Sequence, residues 1–167
     1  MGELKFPLIL GLKMCLVIML ITLQTALGQA SRQEKMKQLS FMVGDWVGTS
    51  TTYKNDSVAT KIPAFEKISY KLDEHIITID LYSELLQLHT IIFYDEEEKT
   101  YYYNPYYKKG SAKYKAEFKE GKFIVWPSET KRFVFKLTPE GNFQEYGEIL
   151  DKGRWVTYFK DNFKKIP

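Results

Sequence analysis

The chain has 167 residues, with 24 Lys and Arg interspersed among 21 Asp and Glu for a formal net charge of +3. That mixture excludes a concentrated basic footprint for nucleic acid or a membrane surface and describes an ordinary solvated exterior. The lone cysteine, Cys15, and the two histidines, His75 and His89, exclude a disulfide framework and any cysteine–histidine zinc spacing.

The first residues read as a leader. Lys5 and Lys13 supply a positive segment, Cys15 to Leu23 an apolar run, and Ala26-Leu27-Gly28 a small-x-small site. Cleavage is expected before Gln29, with Gly28-Gln29-Ala30 as the alternative site, which makes residues 1–28 a signal peptide. A retained anchor is the competing reading, but Lys13 interrupts the apolar stretch and leaves it short of the ~20 residues that span a bilayer. Cys15 lacks the preceding small residues of a lipoprotein box. The expected product is secreted or periplasmic, free of cysteine and of any membrane segment. At about 140 residues it is long enough for one domain with its own core.

Residues 29–43 form a lead-in, where the polar helix formers of Ser31 to Gln38 give either one short helix or a frayed terminus. From Gly44 onward the pattern is β, and residues 44–167 read as one domain. The first strand places Gly44, Trp46, Gly48, Ser50 and Thr52 on one face. An indole between two glycines suits the closed end of a barrel, where backbones approach closely. A turn at Lys54 to Ser57 precedes a strand from Val58 to Ile62, expected to stop at Pro63. Phe65 to Leu72 alternates, and His75, Ile77, Ile79 and Leu81 make an apolar face of the next strand. Leu88 to Tyr94, Thr100 to Tyr106, Tyr114 to Lys119 and Lys122 to Trp126 follow, with turns at Asp95 to Lys99 and at Glu120-Gly121. Arg132 to Leu137, Phe143 to Leu150 and Arg154 to Phe163 complete the series.

Turn signals every 8–12 residues and no room for a crossover helix predict an antiparallel meander, either barrel or sandwich. Closure is the better solution, because it removes the edges that an aromatic-rich chain would otherwise expose. The expected fold is therefore all-β, an antiparallel up-and-down barrel of about 8–10 strands with a short N-terminal helix.

Gly44-Asp45-Trp46 behind a short lead-in resembles the Gly-x-Trp signature of the lipocalin and calycin superfamily. The chain is more closely similar to secreted bacterial lipocalin-like domains of unknown function. Their early glycine-tryptophan strand matches Val43 to Gly48, their Tyr-Asp hairpin Phe93-Tyr94-Asp95, their Glu-Gly hairpin Glu120-Gly121-Lys122, and their closing hairpin Phe143 to Phe163. The resemblance spans nearly all of the chain after the leader, although each motif is short. It implies a barrel with a ligand cavity, and a basic residue from a late strand packed on Trp46, with Arg132 and Arg154 as counterparts. Gly44 and Gly48 would serve that structure.

The chemical candidates each have a plainer competitor. His75 and His89 alternate with isoleucines and could both point inward. Two histidines without a third ligand are a poor metal or haem site, and none follows His89, so no metal and no cofactor is expected. Glu145, Thr157 and Asp161 would be polar groups among barrel aromatics if their faces are interior, and a buried carboxylate there could act as general acid or base. The competing reading makes Glu145 a rim carboxylate bonded to Arg132 or Arg154. Trp46, Phe93, Tyr101, Tyr103, Phe143, Thr157 and Phe159 are the candidate ligand contacts, with tyrosines expected at the mouth.

The leading expectation is an exported barrel that binds a small apolar or amphipathic molecule, a sugar-like ligand being the other choice. An enzyme using Glu145, Asp161 or His89 requires at least two of these to converge on one pocket. An accessory domain that docks another protein requires a filled core and an apolar outer surface.

Overall fold

The computed structural model describes residues 31–167 apart from Asp56, so the expected leader and its cleavage site lie outside the described residues. Helix α1 (Arg32–Lys37) and a 3-10 turn (Ser40–Met42) lead into β1 (Gly44–Lys54), β2 (Ser57–Lys71), β3 (Ile76–Ser83), β4 (Gln87–Asp95) and β5 (Thr100–Tyr107). A two-residue β6 (Gly110–Ser111) is followed by β7 (Tyr114–Lys119), β8 (Lys122–Ser128), β9 (Lys131–Leu137), β10 (Phe143–Asp151) and β11 (Arg154–Lys165).

Each long strand pairs antiparallel with its sequence neighbour, β5 skipping to β7, and β11 returns to β1. The result is a closed ten-strand up-and-down barrel, with β6 attached only to the end of β5. Closure leaves no long edge to template association. The tight hairpins carry the expected chemistry: Glu120-Gly121 and Lys152-Gly153 both have positive φ at the two central positions, at 52° and 73° and at 48° and 78°. Among the described residues no helix is long and apolar enough to cross a membrane.

Alternation fills one half of the barrel. Trp46, Ile68, Phe123, Phe135, Phe143 and Phe163 are all essentially inaccessible. Trp46 meets Phe143 at 5.2 Å between ring centroids, and Phe143 stacks on Phe163 at 6.1 Å. Fully burying each such side chain contributes about 1.5–3 kcal/mol. The lead-in closes this end as a plug, with Met36, Leu39 and Met42 at 0% exposure. It is tied down by polar bonds: the Tyr101 hydroxyl donates to the Lys35 carbonyl at 2.8 Å, Tyr70 to Met36 at 3.1 Å, and the Trp46 indole to Met42 at 2.7 Å. Of the two readings of residues 31–38, the ordered helix is the one found.

Two local expectations need correction. Pro63 does not stop a strand, because β2 runs straight through it. It lies one residue beyond the last β2–β3 pair, Ala64 with Ser83, where one side of the strand is no longer laddered and a missing N–H is tolerated. His75 is no strand residue; it sits in the β2–β3 turn with Nδ1 against the Leu72 carbonyl at 2.8 Å.

Candidate functional site

Above the aromatic layer the inner face becomes acidic. Glu66 of β2 points inward with Ala64 and Ile68, Glu145 of β10 with Phe143, and Asp161 of β11 with Phe163. Register brings them together. Glu145 lies directly opposite Asp161, Asp161 opposite Ser50, and Glu66 opposite Trp46. Between the Trp46 and Ser50 levels the paired inner residues are Gly48 and Ala64, whose small size leaves room for carboxyl groups. One oxygen from each of the three acids lies within 4.8 Å of the other two. Glu66 is 0% exposed, Asp161 4% and Glu145 8%.

Three ionised carboxylates cannot share such a space without large repulsion and desolvation costs. Burial, and then the Asp161 charge, push Glu66 up to about 8, partly offset by the adjacent Glu145 carboxyl. Burial raises Glu145 well above the ordinary carboxylate range, and Glu66 and Asp161 push in the same direction. Asp161 is pushed up to about 6 by burial, offset in part by the Ser50 hydroxyl. The trio therefore holds protons near neutrality and titrates as a unit. Among the described residues no Lys, Arg or His forms an ion pair with any of the three. Asp161 Oδ1 is buried with no hydrogen-bond partner, and the buried Glu66 carboxyl is met only by that of Glu145.

The open half of the barrel holds a cavity of about 240 Å³ with Glu145, Asp161 and Ser50 at its polar floor. Ile62, Leu81, Leu88 and Phe159 make its walls, and Leu85 and Leu86 stand at its mouth. Its shape depends on a bulge in the β10–β11 hairpin, where Gly147 pairs with Phe159 and Glu148 with Thr157, leaving Tyr158 unpaired. Adjacent Tyr158 and Phe159 then both reach the cavity. Gly147 permits this, since a Cβ there would overlap the Phe159 ring and lie 2.6 Å from the Tyr158 ring. A wider depression of about 440 Å³ at Tyr53, Arg154–Thr157 and Lys160 contains none of the acids.

The residues singled out from sequence divide sharply. Glu145 and Asp161 do converge, and Phe159 lines the same cavity. Trp46, Tyr101 and Phe143 are buried at the closed end beneath it, so Tyr101 bonds the plug rather than the mouth. Tyr103 faces inward and is 3% exposed.

Several others lie outside. The bulge reverses the parity of β11, so Thr157 stands opposite outward Glu148 and not beside Asp161. Phe93 lies on the outer face of β4 against Tyr102. His89 is also outward, with Nδ1 2.6 Å from Asp80. Arg132 is no partner for Glu145: its Nε donates to Glu148 at 2.6 Å and its guanidinium stacks 4.2 Å above Trp155, while Arg154 is exposed. The cation on Trp46 is Lys165, 5.6 Å from the ring. Gly48 holds the close approach expected of it, because a Cβ would drive into the Asn162 carbonyl and lie 2.8 Å from Phe163 Cα.

Glu66 is the site residue that sequence reasoning missed. Its signal was present: it shares the parity of Ile68 and Tyr70, so an inward-facing β2 carries one acid on its apolar face.

No family model matches the chain, and no curated protein does. Solved structures do. That of zebrafish ileal bile acid-binding protein complexed with cholic acid gives a TM-score of 0.52 at 11% identity, covering 76% of this chain and 100% of that one. That of a protein of unknown function from the DUF3598 family of Nostoc punctiforme gives 0.28 at 7% identity, covering 79% and 99%. With ten strands closed in sequence order, one short helix leading into them among the described residues, and the bile acid-binding protein as a structural neighbour, the fold is calycin-like.

Proposed function

We propose that this chain is an exported carrier or receptor for a small, largely apolar molecule held in the open half of the barrel. The observation that carries the reading is the cavity itself. The closed half is solidly packed, yet above the acids about 240 Å³ remains, lined by Ile62, Leu81, Leu88 and Phe159. A barrel used only for docking other proteins has no need of such a space. The rim supports access, since Leu85 is 67% exposed and Leu86 41%. The neighbour of like fold is complexed with cholic acid, an amphipathic molecule, and the comparison lends weight to ligand binding without naming a ligand here. Export rests on the leader read in residues 1–28 and is checked by N-terminal sequencing of the protein recovered outside the cytoplasm.

Fluorescence titration with N-phenyl-1-naphthylamine, an uncharged apolar probe at neutral pH, tests the cavity directly. Saturable enhancement at one site is expected, and Ala64→Phe, which places a ring into the cavity, removes it while the far-ultraviolet spectrum stays that of a β protein. Equal enhancement by a folded Ala64→Phe protein overturns the reading.

The convergence of Glu145 and Asp161 favours a second reading, general acid chemistry on the bound molecule. Mass spectrometry separates the two. An enzyme retains a different adduct mass in Glu145→Gln than in wild type, because unreacted substrate accumulates. A carrier retains the same mass in both.

A further inference from the structure

We propose that the cavity is specific for an organic cation, a primary amine with an apolar body, whose ammonium sits on Glu145 and Asp161 and whose tail lies along the wall above them. The inference rests on the binding reading above and names the class of ligand for that same cavity.

Three observations converge on it. The first is an excess of acceptors. Asp161, 4% exposed and on the cavity surface, has its Oδ1 without a hydrogen-bond partner, the Glu66 carboxyl behind it is met only by that of Glu145, and no basic side chain of the described residues pairs with the trio. Buried acceptors left unbonded are costly, and an ammonium brings three donors and no acceptor. The second is continuity. Glu145 and Asp161 belong to the same cavity surface as Ile62, Leu88 and Phe159, so one molecule meets both the charge and the apolar wall. The third is what the floor lacks. A calcium ion takes 6–8 oxygen ligands and magnesium a near-ideal octahedron, while the wall above this floor is mainly apolar, with the neutral hydroxyls of Thr52, Thr60 and Ser83 as its polar groups. An anionic head group would meet the acids with no basic side chain of the described residues to offset its charge.

Proton balance gives the mechanism its signature. Groups facing the trio are the Ser50 hydroxyl from β1, the Tyr103 and Tyr107 phenols from β5, and the Tyr158 phenol from β11. All are uncharged at neutral pH, since burial raises each of these phenols above its ordinary value. The arriving ammonium is therefore the only cation at the floor, and it favours the ionised carboxyls. A proton held by the trio leaves to solvent as the amine docks, and no covalent bond changes. Affinity for the amine rises with pH through the range of about 6 to about 8 in which Asp161 and Glu66 lose their protons.

Calorimetric titration of the purified protein at pH 8 with octylamine, octan-1-ol, octanoate and, separately, calcium and manganese chlorides tests this. Octylamine should bind about tenfold more tightly than octan-1-ol, the scale of one charge-assisted hydrogen bond. Its heat should vary with the ionisation enthalpy of the buffer in the sense of proton release, and octanoate should bind most weakly. Glu145→Gln should narrow the amine-to-alcohol ratio, and outer-wall His89→Ala should preserve it. If Glu145→Gln does not fold, the wild-type ratio and the proton count still decide. Equal binding of amine and alcohol, preference for octanoate, or binding of the metal ions alone overturns the inference. Binding of octan-1-ol in any of those cases leaves the apolar-ligand reading standing. Failure of all three eight-carbon ligands and of the naphthylamine probe removes both.

Discussion

Gly48 shows how little freedom a single inner-face position has in this barrel. It sits on β1 between Trp46 and Ser50, paired with Ala64 on one side and Phe163 on the other. A methyl group there would strike the backbone of Asn162, which has no rotamer by which to yield. Overpacking against movable side chains costs about 1–3 kcal/mol, and against backbone more. Gly48→Ala is therefore expected to lower stability by at least about 3 kcal/mol, read as a shift of the urea midpoint at constant slope. A variant as stable as wild type would mean that β1 and β11 are further apart than described. The sequence announced this position through the glycine-tryptophan-glycine pattern, because close approach is the ordinary reason for a glycine inside a strand. It could not announce Lys165 as the cation on Trp46, since several late-strand basic residues satisfy the same pattern and only the register selects among them.

The β10–β11 hairpin carries the site, and it is the element that sequence alternation describes least well. Parity from Phe159 to Phe163 was legible and placed Asp161 correctly among aromatics. Extending the same parity back to Thr157 failed, because the unpaired Tyr158 inserts one residue and turns the strand over. Nothing in a two-residue period marks where an extra residue falls. Glu66 escaped notice for a different reason. A single acid among alternating lysines and apolar residues reads as surface charge until the opposing strands, with Glu145 and Asp161, are known to be near. The same hairpin gives a prediction. Gly147→Ala pushes a methyl into the space held by the Phe159 and Tyr158 rings, and those rings form part of the cavity wall. N-phenyl-1-naphthylamine affinity should fall at least about tenfold, more than a loss of fold stability of a few kcal/mol would produce in a protein still fully folded at the assay temperature. Unchanged affinity would show that the bulge does not shape the cavity.

At the scale of the whole molecule, the buried acids set an unusual response to pH. Each is raised in the folded state above its ordinary value, Asp161 from 3.8 to about 6 and Glu66 from 4.5 to about 8. Below about pH 3 these groups are neutral folded or unfolded and impose little cost, and near pH 4 the cost is only beginning. As pH rises, the unfolded chain loses its protons first while the folded barrel keeps them, so the folded state binds more protons and stability falls. The shift of Asp161 alone corresponds to a loss on the order of 3 kcal/mol by the time pH passes its folded value. Outside the barrel the sign is opposite. Glu98 is held low by the Tyr102 hydroxyl and Lys115, and Glu140 by Thr138, so these surface groups favour the fold above the ordinary carboxylate range. They are solvent-screened and contribute little beside the buried trio. The urea midpoint is therefore expected to be highest near pH 4 and to decline towards pH 8. Glu66→Gln removes one of the titrating groups and should flatten that decline, raising the midpoint at pH 8 while changing it little at pH 4. A midpoint that holds or climbs from pH 5 to 8 in the protein as isolated would mean that the ionised trio is already neutralised. Repeating the series after exhaustive dialysis in denaturant and refolding would then distinguish a retained cation, whose removal restores the decline, from compensation built into the protein itself.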